Sequence, residues 1–349
     1  MFHVALSQLT MPRWELPEEI ARLAAHGFDS LSLWRVKLSD IGQHAAASLL
    51  TEAGVRVSSL QWAGGFTGGD GRTFAESIDD AQEAIEAAHL LGAAVLVIHS
   101  GGRGGHTRAH ARRLLIQALE KLLPLAHRAG VTLAIKPMHA AAAPDCSFLT
   151  RPVEALDIVE GFADPAVRMA LDLWQFGDDL ELVRLLPRLA AATVAVQVAD
   201  RVGAPSTEFE RLPAGYGSLP LESLVAALLE QGYQGHFEFD PVGDTVAGLG
   251  YERVLAETRR VANLWTDLWA ERLVPHMAQQ ATATAGWRHP DPWMTSVTKQ
   301  TTHETESVGM TSMTSMTSMT RDEHAPAGLQ LRPAGSRRSH ASSQTVSRG

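Results

Sequence analysis

Eight short runs of aliphatic and β-branched residues recur along the chain, spaced by longer stretches of helical period, and this repetition limits the fold more than any other feature. The runs occupy 2–7, 30–34, 56–60, 94–99, 132–136, 168–172, 193–198 and 235–240. Several are continuously apolar, as expected for parallel strands covered on both faces. Helical periodicity is read at 16–26, 74–91, 108–129, 152–160, 180–189, 221–231 and 251–269, with Gly27, Gly92, Gly130 and Gly232 in position to end four of these helices. Repeated βα units of this kind predict an α/β protein, a single (β/α)8 barrel. An open dinucleotide-binding sheet is excluded because no Gly-x-Gly-x-x-Gly follows the first strand, so no nucleotide cofactor is expected.

A barrel takes roughly 250 residues, and the 349-residue chain changes character where such a barrel would end. After about residue 275 large aliphatics become rare, and a Met-Thr-Ser triplet repeats from Met310 to Thr320. The expected organisation is therefore a barrel over 1–270 and a low-complexity, disordered tail over 276–349. The net charge of −9 argues against a phosphate-backbone partner, and no nucleic acid is expected. A single cysteine, Cys146, cannot form an internal disulfide. With no signal-like N-terminus and no apolar stretch long enough to span a bilayer, the sequence predicts no membrane association and a cytoplasmic location.

In such barrels the chemistry sits at the C-terminal ends of the strands. The fourth to eighth strands finish at His99, Lys136, Asp172, Gln197 and Glu238, with His139, Trp174, Asp200 and Asp240 just beyond. A lone strand-end histidine is more often a packing residue, but convergence of five polar strand ends at one mouth points to a site. Two carboxylates brought together there need a cation, supplied by a metal or by Lys136. Trp34, Trp62 and Trp174 offer apolar faces near the same ends. The stretch Ser100-Gly101-Gly102-Arg103-Gly104-Gly105 before a helix has the composition of a phosphate cradle, without the Lys-Ser/Thr ending of a P-loop.

The segments Ala134-Ile135-Lys136-Pro137-Met138-His139, Pro144-Asp145-Cys146-Ser147, Leu171-Asp172, Val196 to Asp200, Arg211 to Pro220 and Gly232 to Glu238 carry a resemblance to a known family. Over about residues 1–270 the chain resembles the xylose-isomerase-like TIM-barrel superfamily of sugar phosphate isomerases and epimerases, which includes ketose 3-epimerases, inosose dehydratases and hydroxypyruvate isomerases. The resemblance implies one divalent metal held by a Glu after the fifth strand, an Asp after the sixth, a His after the seventh and a Glu after the eighth. Asp172 and Glu238 match, whereas Lys136 stands where the first Glu is usual and Gln197 where the His is usual. An ammonium repels a divalent ion and an amide oxygen ligates it weakly, so Mn or Mg should bind poorly at Asp172 and Glu238.

The resemblance then implies proton transfer beside a carbonyl on a sugar, sugar phosphate or cyclitol, possible here without a metal. Lys136 and Glu238 are the expected catalytic pair, with His99, His139, Trp174, Gln197 and Arg211 as substrate contacts. The alternative is a catalytically degenerate sugar-binding barrel that has lost its metal site. A phosphodiester-cleaving branch of the superfamily is disfavoured by the sparse His and carboxylate set at the strand ends. Homo-oligomerisation is left open by the sequence.

Overall fold

The computed structural model describes residues 2–208 and 210–285, with side chains through Glu271. Eight parallel strands close in sequence order: β1 (His3–Ser7), β2 (Ser30–Trp34), β3 (Arg56–Gly64), β4 (Val95–His99), β5 (Thr132–Lys136), β6 (Val167–Asp172), β7 (Thr193–Val198) and β8 (His236–Phe239). β1 pairs with both β2 and β8, so the barrel leaves no open strand edge. The helices are α1 (Leu16–Ala25), α2 (Arg35–Ile41), α3 (Gln43–Glu52), α4 (Phe74–Leu90), α5 (Arg108–Ala129), α6 (Pro152–Phe162), α7 (Leu173–Phe176), α8 (Leu180–Ala192), α9 (Leu221–Glu230), α10 (Asp244–Leu249) and α11 (Tyr251–Ala285). The described residues fall in one unit spanning 1–288.

Successive side chains of a strand point to opposite faces, and the barrel uses that alternation to sort residues by size. Val95, Val97, Ala134, Ala170 and Ala195 form a compact cluster of their own in the lumen. The residues between them, such as Leu96, Ile98, Leu133, Ile135, Leu171 and Val196, belong to the large core shared with the helices. Full burial of such a side chain contributes about 1.5–3 kcal/mol. One step further along each lumen-facing series come His99, Lys136, Asp172 and Gln197. Strand register sets His99 level with Lys136, Asp172 level with Gln197, and Gln197 level with Glu238. The same period that packs small residues in the lumen thus delivers a polar layer to its mouth.

Local signals fix the helix ends. Thr73 and Glu76 form a reciprocal capping box at the start of α4, and Pro152 occupies the first turn of α6. Gly27, Gly92, Gly130 and Gly232 all have positive φ, between 66° and 88°, as the helix-ending reading requires. The interval between β2 and β3, where no helix is predicted, contains α2 and α3. They bury only Leu38, Ala46 and Leu50 outright, with Ile41, Ala47 and Leu49 half-buried against the core, a pattern too weak to register as amphipathic. β3 also runs on to Gly64, past the expected end at residue 60, because polar Gln61 interrupts the apolar run without ending the strand.

α11 continues through Ala285, beyond the boundary near 270 that composition suggests. Its last turns are rich in Ala and Gln, good helix formers despite their low hydrophobicity. The rest of the expected tail, including the Met-Thr-Ser repeat, lies outside the described residues. No helix among the described residues is long and apolar enough to cross a membrane.

Candidate functional site

An ion-paired cluster lies across the ends of β5 to β8. Lys136 Nζ is 2.9 Å from Asp172 Oδ2 and donates a hydrogen bond to Gln197 Oε1. The lysine is only 6% exposed and Asp172 is fully buried. Arg211 donates to both Asp172 oxygens, at 3.0 and 3.1 Å, and its Nη2 also reaches the two Asp240 oxygens at 2.6 and 2.7 Å. Its guanidinium lies over the Trp174 ring, 5.0 Å from the centroid. Arg211 comes from the loop after β7, which bridges pair antiparallel to Asp200 and Val242. Asp200 secures that loop by accepting from the backbone N–H groups of Arg201, Gly215 and Leu219.

Charge balance decides which of these acids ionise. Two cations, Lys136 and Arg211, face three buried carboxyls, Asp172, Asp240 and Glu238. Burial resists charge on Asp172, but Arg211 and Lys136 together overcome it and hold this carboxyl below the usual range. Burial and the neighbouring Asp172 charge outweigh Arg211 at Asp240, which is pushed up to about 7. Glu238 is also raised, by burial, against the opposing effects of the Ser59 and Ser58 hydroxyls and the Lys136 charge. Three buried carboxyls against two cations thus favour retention of a proton by the cluster. His99 is driven the other way, to about 3, by burial and by Lys136 on the adjacent strand, and it works as a neutral imidazole.

Glu238 sits in a cage of hydroxyls rather than against Lys136. Ser58 donates to its Oε1 at 2.7 Å and Gln61 Nε2 to its Oε2 at 3.3 Å. Gln61 also reaches Ser32 and Ser59, themselves 2.9 Å apart. A β-bulge makes this possible: Leu31 pairs with Val57 but Ser32 pairs with Ser59, leaving Ser58 as the extra residue of β3. Both consecutive serines thereby hydrogen-bond inside the barrel.

Beside this cluster, over β2 to β4, opens a cleft of about 680 Å³ lined by Trp34, Trp62, Gln61, His99, Arg35 and Arg72 among others. Trp62 is stacked on His99, with centroids 4.9 Å apart and planes at 16°. The close approach of β3 to β4 here depends on Gly64, which has φ +133° and whose place a Cβ would put 1.8 Å from the His99 carbonyl oxygen. Lys136, Asp172 and Glu238 do not line the cleft. Gln61 and His99 connect the two layers, Gln61 through its bond to Glu238 and His99 through its position beside Lys136.

The residues singled out in the sequence are thus divided by the fold. Lys136, Asp172, Gln197 and Arg211 come together, Glu238 lies one strand away, and His99 stands between cluster and cleft. Trp174 does not face the cleft; it is 2% exposed and packed beneath Arg211. His139 lies in the loop after β5, where its backbone N–H donates to Gln175 Oε1. In the glycine-rich stretch, the N–H groups of Gly101 and Gly102 are taken by the carbonyls of Cys146 and Asp145 and do not serve a phosphate. Ser58 and Gln61 are the partners that sequence reasoning passed over, and Asp240, noted at a strand end, was given no role. The signal for the first two was present: polar residues at 58, 59 and 61 inside a strand whose neighbours are apolar.

The residues at the mouth do not fit a divalent ion. Asp172 already receives hydrogen bonds on both oxygens from cations, and Gln197 turns its oxygen to Lys136. No group of three or more His, Cys, Asp or Glu side chains among the described residues is arranged to hold a metal. The ammonium of Lys136 lies between Asp172 and Gln197 and is hydrogen-bonded to both.

Residues 20–261 match the family described as xylose isomerase-like TIM barrel. The chain is 29% identical over 276 residues to a Streptomyces coelicolor protein named "Putative hydroxypyruvate isomerase", covering 70% of this chain and 92% of that one. Among solved structures, protein SMc04130 from Sinorhizobium meliloti 1021 aligns with a TM-score of 0.69 at 26% identity, over 74% of this chain and 96% of that one. IolI protein with a bound zinc atom aligns with a TM-score of 0.67 at 17% identity, over 77% and 99% of the two chains, a likeness of fold.

Proposed function

The chain belongs to the xylose isomerase-like TIM-barrel family, and we propose that it is a sugar isomerase or epimerase in which the Lys136 ammonium takes the place of the family's divalent ion. The observation that carries this reading is the seat of Lys136 between Asp172 and Gln197. Those two acceptors use two of its three N–H donors and leave one for a substrate oxygen. In the proposed reaction Glu238 removes a proton from the carbon next to a carbonyl. The charge that develops on the carbonyl oxygen is met by Lys136, the proton of the adjacent hydroxyl passes to that oxygen, and Glu238 returns its proton to the former carbonyl carbon, giving the isomer. Burial raises the proton affinity of Glu238 above that of an ordinary carboxylate, which strengthens it as a base. The name of the Streptomyces relative supports the same class of chemistry, since hydroxypyruvate is a hydroxycarbonyl compound.

Incorporation of solvent deuterium into a panel of ketoses tests the reading. Wild type should label the carbon beside the carbonyl of at least one compound, and Glu238→Gln, isosteric but unable to accept the proton, should reduce labelling by about 100-fold or more. Undiminished labelling by a folded Glu238→Gln variant would remove Glu238 from the mechanism. Ser58→Ala should leave labelling in place but shift its acid limb. Loss of a hydrogen bond to the charged carboxylate, worth about 1.5–3 kcal/mol, raises the apparent pKa by about one unit or more. An unshifted limb would show that Ser58 does not set the Glu238 proton affinity.

One observation favours a second reading, a sugar-binding barrel without turnover: Lys136 and Glu238 lie behind the residues that line the cleft. Saturable ketose binding without exchange for any bound ketose identifies that case.

A further inference from the structure

Past Gln61 the third strand has a strand partner on one side only. Its pairing with β2 ends at Trp34 and Gln61, whereas Ala63 and Gly64 stay level with Ile98 and His99 of β4, and the Gly65 N–H donates to the His99 carbonyl at 3.0 Å. The carbonyls of Trp62 and Gly64, two residues apart and turned away from β4, therefore need donors from elsewhere. Two guanidiniums supply them. Arg35 at the start of α2 donates to the Trp62 carbonyl at 3.1 Å, and Arg72 from the loop before α4 donates to the Gly64 carbonyl at 2.8 Å. Both arginines meet at one carboxylate, Asp80 on α4. Arg35 donates to its two oxygens at 2.9 and 3.2 Å, and Arg72 Nη1 lies 3.0 Å from its Oδ2.

The frame of this clamp is fixed independently of what it grips. α2 is tied down by Lys37, which donates to the buried Glu19 carboxylate and to the Met11 carbonyl, and the Trp34 N–H just before it donates to Gln8 Oε1. α4 starts at its own capping box. The gripped segment is the irregular part: the register of β3 on β4 shifts between Leu60 and Ala63, and Gly64 and Gly65 both have positive φ. The side chains of Arg35 and Asp80 are 25% and 30% exposed, so salt screens their pairing less than that of a surface pair. Burial opposes charge on Asp80, but Arg35 and Arg72 overcome it and hold this carboxyl below the usual range, which keeps the clamp charged at neutral pH. We infer that Asp80 is a positioning residue of the site: acting through Arg35 and Arg72, it replaces the missing strand partner at the end of β3 and so fixes the Trp62 wall of the cleft over His99. Gln61 lies before the clamped carbonyls and is still paired with β2, so its contact with Glu238 does not depend on Asp80.

The consequence for turnover rests on the isomerase reading, and the clamp itself is measured without it. Amide hydrogen exchange on the full-length protein, resolved by peptide mass spectrometry, reads the hold on the end of β3. Asp80→Asn removes the carboxylate paired with Arg35 among the described residues, whereas Arg72 keeps Asp70. Amides at 62–65 are expected to exchange about tenfold faster than in wild type, with those of β5 to β7 unchanged. Asp80→Glu, which keeps the charge, should recover part of the protection. Arg35→Met should produce the same acceleration, and the double variant no more than either single change, because the two residues act as one unit; Arg35→Met also carries the test where Asp80→Asn does not fold. For the ketose that wild type labels fastest, Asp80→Asn should raise KM about three- to tenfold and leave kcat within about twofold, a split that general loosening of the barrel would not produce. Unchanged exchange at 62–65 in a folded variant, acceleration spread equally over β5 to β7, or an unaltered KM in an active variant whose 62–65 segment is loosened overturns the inference. Local acceleration in a protein that labels no ketose sustains it and removes the isomerase reading, whereas ketose labelling by wild type with unchanged exchange at 62–65 in the variants does the reverse.

Discussion

Replacing Lys136 with Met is expected to abolish solvent exchange and to lower the stability of the barrel by about 3–5 kcal/mol, the usual penalty for removing one partner of a buried ion pair. The hydrocarbon volume is roughly kept, so the loss isolates the charge. Asp172, fully buried, would retain the Trp174 backbone N–H and a single cation, Arg211, which it shares with Asp240, and the Gln197 oxygen would lose its donor. Denaturant unfolding reads the first effect and deuterium labelling the second. The pH dependence has a definite sign. Despite burial, Arg211 and Lys136 hold Asp172 below the ordinary aspartate value of 3.8, so its pairing contributes fully above about pH 4 and is lost as pH falls further. The stability gap between wild type and Lys136→Met should therefore be widest above pH 4 and narrow below it. A variant as stable as wild type at pH 7, still exchanging protons, would show that the ammonium neither holds the cluster nor serves the reaction.

The double change Lys136→Glu with Gln197→His is expected to raise affinity for Mn or Zn by at least about 100-fold over wild type, because it replaces a repelling cation and an amide with two good ligands beside Asp172 and Glu238. Lys136→Glu alone should destabilise the apo-protein, since it removes a cation from a site that already has more carboxyls than cations and adds another carboxyl. Calorimetric titration with each ion, together with metal-dependent thermal stabilisation, measures both effects. Equal ion affinities for wild type and the double variant would mean that Lys136 and Gln197 do not govern metal binding.

The barrel was legible because its evidence is repeated and local. The strands at 30–34, 132–136 and 193–198 coincide with β2, β5 and β7, since each is a short apolar or alternating run bounded by turn residues. α2 and α3 were not legible, because they bury too few residues to show a period. At the site, the period of two was enough to turn Lys136, Asp172 and Gln197 into the lumen near its mouth, and the Lys136–Asp172 pair follows from their opposite charges. The partners of Glu238 depend on something that pattern does not encode. A single bulge at Ser58 turns two consecutive hydroxyls inward, whereas regular alternation would send one of them to the helices. Arg211 reaches Asp240 and Asp172 through a long loop whose path is set by tertiary hydrogen bonds to Asp200, so its role as a bridge between two carboxylates has no local sequence signature.

The central claim is that an ammonium built into the chain does the work of a divalent ion. Deuterium exchange into a responsive ketose, measured before and after exhaustive dialysis against a chelator with metal analysis of both samples, addresses it most directly. The account predicts no stoichiometric divalent ion in either sample and an exchange rate that chelation leaves unchanged. Exchange that disappears on chelation and returns when Mn or Zn is added back would contradict it.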